Sequence, residues 1–321
     1  MSLRLSYFKK RTDMQSLPIS LGKRVGESIK ASCRFVCRPF LPLLPDALTN
    51  RLPFLGRVCV YGPDNLQLRL HTYGPHGKDR IALKLARRGF DGYEGETVRL
   101  FLALVGETRT VVDIGANTGL FALVAAKANA RCQVWAFEPV PFIFDMLRKN
   151  IRLNRLANLQ AVPAAVSDFV GESTFYITRT SVGIPTDSSS CQGFRDQVEE
   201  YRLPTTTLDE FSSSRQMARV DLLKIDAEAT EAKVIRGALQ TIQKDRPYII
   251  CEVLENIDHG YLEQSLQSLN YGFYHITPNR LQRHSHLQGS LNVEQRNYLF
   301  VPAGKEAALT ERCSRAGIVV C

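Results

Sequence analysis

The residues with the clearest chemical potential lie in Val111-Val-Asp-Ile-Gly-Ala-Asn-Thr-Gly119, where an apolar run enters a turn of small residues and leaves as an apolar helix. Gly115 and Gly119 let backbone approach a ligand closely, at the strand end where open α/β sheets bind ligands. A second acid, Glu138, follows Asp113 by 25 residues at the end of the next apolar run. A carboxylate there can accept hydrogen bonds from both hydroxyls of a ribose. The turn does not suit a pyrophosphate, because the acid Asp113 precedes the first glycine and Asn117 stands where the second glycine of G-x-G-x-x-G would fall. An acid in that place repels phosphate and suits an ammonium or a sulfonium. S-adenosylmethionine carries both of these charges and a ribose.

Such a turn must be held by alternating strands and helices. The sequence predicts a strand over Thr110-Val-Val-Asp-Ile114, a helix to about Ala128, a strand over 133–137, a helix over 140–153 and a strand over 159–166. A strand over 221–226 precedes a helix over 230–243, and a strand over 248–252 precedes a helix over 259–269. Strands at 272–276 and 297–301, with no helix of normal length between them, predict a closing antiparallel pair. The sum is an α/β fold: a seven-stranded mixed sheet with helices on both faces. Ahead of it, Val58-Cys-Val-Tyr and Leu66-Gln-Leu-Arg-Leu-His alternate around Gly62-Pro-Asp-Asn65, which predicts a hairpin, and 94–105 reads as a helix.

Five motifs in order carry a resemblance: Val111 to Ala126, Val134-Trp-Ala-Phe-Glu-Pro139, Thr206-Thr-Leu-Asp209, Leu223-Lys-Ile-Asp-Ala-Glu228 and Pro247-Tyr-Ile-Ile-Cys-Glu252, with Gly92-Tyr-Glu-Gly-Glu-Thr97 leading in. From Tyr93 to Val253 the chain resembles the FkbM family of methyltransferases. The resemblance implies a class I methyltransferase (Rossmann-like) fold and O-methylation of a hydroxyl on a sugar, glycan or natural product. It places Asp113, Gly115, Asn117 and Gly119 in the cofactor loop and makes Glu138 the ribose acid. It puts Ser167 and Asp168 where enzymes of this class contact adenine, and matches Asp226 and Glu228 to an acidic motif after the fourth strand. The chain departs from the family at Ala229, which stands where a glycine is usual.

Methyl transfer to a hydroxyl needs oxygen, methyl carbon and sulfur in line, and a group that takes the proton. Asp226, ending an apolar strand beside the expected donor, is the first candidate base. Glu228 is expected to help hold the acceptor; it and Glu252 are the competing bases. The structural reading of Asp226 is an acid at the N-terminal end of the following helix, stabilising its dipole. Glu231 is assigned to that helix's exposed first turn, and His71 and His76 are outlying candidates near the acceptor.

The 321 residues are 44% hydrophobic and 23% charged, as in ordinary globular proteins. No run approaches a membrane-spanning length, and no secretory signal is evident, so a cytoplasmic protein is expected. The net charge of +9 is uneven, with eleven Lys and Arg against three acids up to Arg57. Residues 1–57 are therefore read as a basic extension that could attach to an anionic membrane. Residues 58–105 are the lead-in, 106–304 the methyltransferase domain and 305–321 a tail. The eight cysteines lack metal-finger spacing and read as reduced thiols, and no residues are assigned to a metal. Expected partners are a small-molecule, glycan or lipid-linked acceptor. Nucleic acid is disfavoured, because the excess charge lies outside the core. The competing readings are a non-catalytic S-adenosylmethionine-binding module on an anionic surface and an NAD-type oxidoreductase.

Overall fold

A computed structural model describes residues 56–321 except 75–76, 179–187, 190–197, 256–258, 291 and 293–294. Nearly all of the basic extension, with Cys33 and Cys37, therefore lies outside the described residues, as do His76 and Cys191. Strands β1 (Arg57–Tyr61) and β2 (Gln67–His71) form the expected hairpin, antiparallel with Val60 opposite Leu68. Helix α1 (Arg80–Arg88) starts from Asp79, whose side chain accepts the Ala82 N–H, and α2 (Gly95–Val105) leads to the first core strand.

The core runs β3 (Thr110–Ile114), α3 (Leu120–Ala128), β4 (Gln133–Phe137), α4 (Pro141–Asn154), β5 (Leu159–Val162). After β6 (Ala165–Val166), strands β7 (Gly171–Thr178) and β8 (Val198–Thr206) build a smaller sheet, and α5 (Leu208–Ser214) follows. Then come β9 (Leu222–Ile225), α6 (Glu231–Arg236), α7 (Leu239–Asp245), β10 (Tyr248–Glu252) and α8 (Gly260–Ser268). The chain ends with β11 (Tyr271–Thr277), β12 (Arg280–His284), β13 (Asn297–Pro302), α9 (Glu306–Arg315) and β14 (Val319–Val320).

The large sheet has the order β14-β12-β11-β13-β10-β9-β3-β4-β5. It holds nine strands, not the seven expected. The additional two are β12, which pairs antiparallel with β11, and β14, which pairs parallel with β12, so the expected tail is an edge of the sheet covered by α9. The closing pair is present: β13 lies antiparallel to both β10 and β11. The single helix expected over 230–243 is two short ones, separated where Gly237 passes so close to Ser167 that a Cβ would overlap the Ser167 carbonyl.

Strand periodicity sorts the core onto two faces. Val111, Val134, Leu222, Ile250 and Leu299 pack with α2, α3 and α9 residues such as Phe101, Leu123 and Leu309. Val112, Ile114, Leu223, Ile225 and Cys251 pack with Phe211, Val234, Ile242 and Leu266 of the opposite helices. From β3 the chain moves to β4 and β5 on one side and later to β9 and β10 on the other. The β3/β9 boundary is thus the topological switch point, with its crevice at the carboxyl ends of these strands.

Candidate active site

The crevice holds a cavity enclosing about 910 Å³ of space, including its open mouth. Of the nine residues proposed from sequence, Asp113, Gly115, Asn117, Glu138, Ser167, Asp226 and Glu228 line it. Parallel pairing sets Lys224 beside Asp113 and Ile225 beside Ile114, so the turns after β3 and β9 emerge side by side.

The first turn is built by left-handed residues. Gly115 has φ +79°, Asn117 +49° and Gly119 +104°. The Gly115 and Ala116 N–H groups both donate to the Phe137 carbonyl, at 3.1 and 2.9 Å, which ties the turn to the end of β4. A Cβ at Gly115 would overlap the Asp226 carbonyl oxygen. Gly119 does not line the cavity; it starts α3, and a Cβ there would press on Leu147. Asp113 receives the Ala122 N–H at 2.9 Å, and burial pushes its carboxyl up to about 7 despite that bond and nearby Lys224.

Glu138 accepts the Val140 N–H at 2.9 Å on one oxygen and the Asn117 N–H at 3.0 Å on the other. Burial raises its pKa to about 7. Each carboxylate oxygen offers two acceptor sites, so both keep room for a ribose hydroxyl. The donor set and the glycine cradle therefore fit S-adenosylmethionine. Ser167 lies in the cavity wall with Ser173 and Phe175 of β7. Asp168 does not line the cavity: Arg236 holds its carboxylate at 2.7 Å and the Ser167 hydroxyl donates to its other oxygen at 3.2 Å.

At the other end, Lys224 donates to Asp226 at 3.2 Å and lies over the Phe121 ring, 4.8 Å from its centroid. Burial alone would lower the Lys224 pKa, but Asp226, Glu94, Asp113 and Glu252 raise it above its ordinary value and hold the ammonium charged. Glu228 and Ala229 are both left-handed, with φ +47° and +76°. The family glycine is thus replaced at a position where its freedom is needed. Glu231 is buried, correcting the exposed reading: it accepts the Ala227 N–H at 3.1 Å, and burial raises its carboxyl to about 7. Glu252 is ion-paired with Arg296, and burial first, then Asp226 and Glu228, push its pKa well above the usual range. Asp226, Glu228 and Glu252 bring carboxylate oxygens within 4.8 Å of one another, with Lys224 and Arg296 as cationic counterparts to two of them. His71 does not line the cavity.

Sequence reasoning gave no role to Lys224, Glu94, Phe175 or Arg296. Lys224 was detectable in principle, since a lysine inside Leu-Leu-Lys-Ile is buried and must be paired. Glu94 sits in the lead-in motif without any spacing that marks it as a lining acid.

A doubly wound sheet with an acid-flanked glycine turn at its switch point and a second acid after the next strand is the class I methyltransferase fold. The chain matches the Methyltransferase FkbM domain over residues 113–273 and belongs to that family, with S-adenosylmethionine as its cofactor. It is 32% identical over 152 residues to the 31-O-demethyl-FK506 methyltransferase FkbM of Streptomyces tacrolimicus, covering 40% of this chain and 58% of that one. It is 27% identical over 168 residues to the hexuronic acid methyltransferase AglP of Haloferax volcanii, covering 51% and 64%. The crystal structure of methyltransferase FkbM from Methylobacillus flagellatus superposes with a TM-score of 0.41 at 13% identity, over 60% of this chain and 43% of that one. The matches span somewhat under six tenths of the length of the first curated relatives. No helix among the described residues is long and apolar enough to cross a membrane.

Proposed function

We propose that the protein is an S-adenosylmethionine-dependent O-methyltransferase acting on a hydroxyl of a sugar, glycan or natural product. The observation that carries this reading is Asp226, placed by the β3/β9 register beside the cofactor turn and paired with Lys224 at 3.2 Å. The bound cofactor supplies the methyl group. Asp226 accepts the acceptor's hydroxyl proton, and the charged Lys224 fixes the orientation of its carboxylate through one oxygen. Glu228, turned into the cavity by two successive left-handed residues, anchors a neighbouring hydroxyl. A polyol suits this wall, because its hydroxyls can donate to the carboxylates that line it. The relatives named for a hexuronic acid and for 31-O-demethyl-FK506 support an oxygen acceptor. Residues 1–57 are proposed to bring the protein to an anionic membrane carrying such an acceptor, through their basic excess.

The test is Asp226→Asn, assayed by mass spectrometry for the methylene gain on a panel of glycans and lipid-linked sugars. Loss of the base predicts a fall in kcat of about 10²-fold or more with S-adenosylmethionine affinity nearly unchanged. Undiminished turnover would move the base to Glu228 or Glu252. Cofactor binding by the wild type without transfer to any acceptor would favour a non-catalytic module.

A further inference from the structure

Glu94 is the residue immediately before α2, and its carboxylate makes no capping bond to that helix. It is 94% buried, lines the cofactor cavity and holds its backbone left-handed at φ +49°. One oxygen accepts the Asn297 side-chain N–H at 3.2 Å. The other, Oε1, is buried with no hydrogen-bond donor, and so is the Asn297 Oδ1. Two buried acceptors on adjoining side chains are thus left without donors, an arrangement that costs stability unless a ligand supplies N–H or O–H groups.

Three of the other lining acids have donors in place. Glu138 takes two backbone N–H groups, Asp113 takes one, and Asp226 takes the Lys224 ammonium. The order of the strands fixes which end of a ligand reaches Glu94. Glu138 ends β4, and Ser167 and Phe175 extend the wall farther on that side. Lys224 and Asp226 lie across β3 on β9, and Glu94 is electrostatically coupled to both. With ribose at Glu138, the adenine lies toward Phe175 and the amino-acid end of the ligand lies toward Glu94. A sulfonium has no hydrogen to donate, whereas an ammonium has three. The cavity wall carries Glu94, Asp113, Glu138, Asp226 and Glu228 against the single lysine Lys224, which favours a cationic group there.

Resting on the cofactor assignment above, we infer that Glu94, held by Asn297, receives the α-ammonium group of S-adenosylmethionine and so fixes the donor's amino-acid end. Two neutral-pH ligands separate this role from a structural one in calorimetry. S-adenosylhomocysteine keeps the ammonium and lacks the sulfonium; 5′-methylthioadenosine keeps the nucleoside and lacks the amino acid. Glu94→Gln, which preserves shape and removes charge, is expected to weaken S-adenosylhomocysteine about 10-fold or more while leaving 5′-methylthioadenosine within about twofold. Unchanged S-adenosylhomocysteine affinity overturns the inference, and so does equal weakening of both ligands. If Glu94→Gln does not fold, Glu94→Asp retains the charge but withdraws it by one methylene, and the same selective loss, smaller, is expected. A wild-type protein that binds neither ligand would instead refute the cofactor assignment itself.

Discussion

Two turns meet at the carboxyl ends of β3 and β9, and both require left-handed backbone, yet they reach it with different residues. The first uses Gly115 and Gly119, for which positive φ is nearly free, with Asn117 between them. The second uses Glu228 and Ala229, for which it costs about 1–2 kcal/mol per residue. The turn after β3 is therefore relaxed, and the turn that presents Glu228 is strained. Strain of this kind persists where surrounding structure holds it and where the side chain has work to do. Here Glu231 and Thr230 hold it, through the Ala227 N–H and carbonyl at 3.1 and 2.8 Å.

The comparison is broken most severely by Gly115→Ala. The new Cβ meets the Asp226 backbone, so the two turns can no longer lie side by side. The expected result is a loss of about 3 kcal/mol or more in stability and of measurable cofactor binding, read by thermal unfolding and titration. Normal binding by this variant would show that the turns are not in contact.

A middle-sized effect comes from pH. Asp113, Glu138 and Glu231 are buried and titrate at about 7, against ordinary values of 3.8, 4.5 and 4.5. Between those limits the folded chain keeps protons that the unfolded chain has lost, so stability falls as pH rises and the loss is complete above the folded pKa. The melting temperature of the ligand-free protein should fall by several degrees from pH 6 to pH 8. Glu231→Gln should make the slope shallower, and S-adenosylmethionine, whose positive charges favour the ionised Asp113 and Glu138, should flatten it further. A melting temperature that climbs across this range would contradict the burial of these acids.

What the sequence made legible was set by periodicity. Strands β3, β4, β9 and β10 are short, mainly apolar runs, each followed by a turn, and both the β3–β9 turn acids and Glu138 follow from that register. The edge was harder. Arg280-Leu-Gln-Arg-His has one apolar residue, because β12 is exposed on most of its length, and Val319-Val320 is too short to show a period. The small sheet of β7 and β8 was missed because Glu172-Ser-Thr-Phe-Tyr-Ile buries only part of one face. Glu231 was misplaced because its partner, the Ala227 N–H, is brought in by the turn between β9 and α6, which spacing does not reveal. Glu94 joins the site through Asn297, 203 residues away, a contact no local pattern announces.

The smallest effect is the one that sharpens the comparison. Ala229→Gly restores the residue that positive φ favours and should raise stability by about 0.5–1 kcal/mol, measured by denaturant unfolding. No gain would mean that neighbouring bonds, rather than Ala229 itself, carry the cost.

Calorimetric titration with S-adenosylmethionine and with NAD, on the wild type and on Glu138→Ala, tests the cofactor site most directly. The wild type should bind S-adenosylmethionine and not NAD, and the variant should bind it more weakly by about 1–3 kcal/mol, the cost of losing a charged acceptor to two hydroxyls. Binding of NAD, or full S-adenosylmethionine affinity without the Glu138 carboxylate, would contradict it.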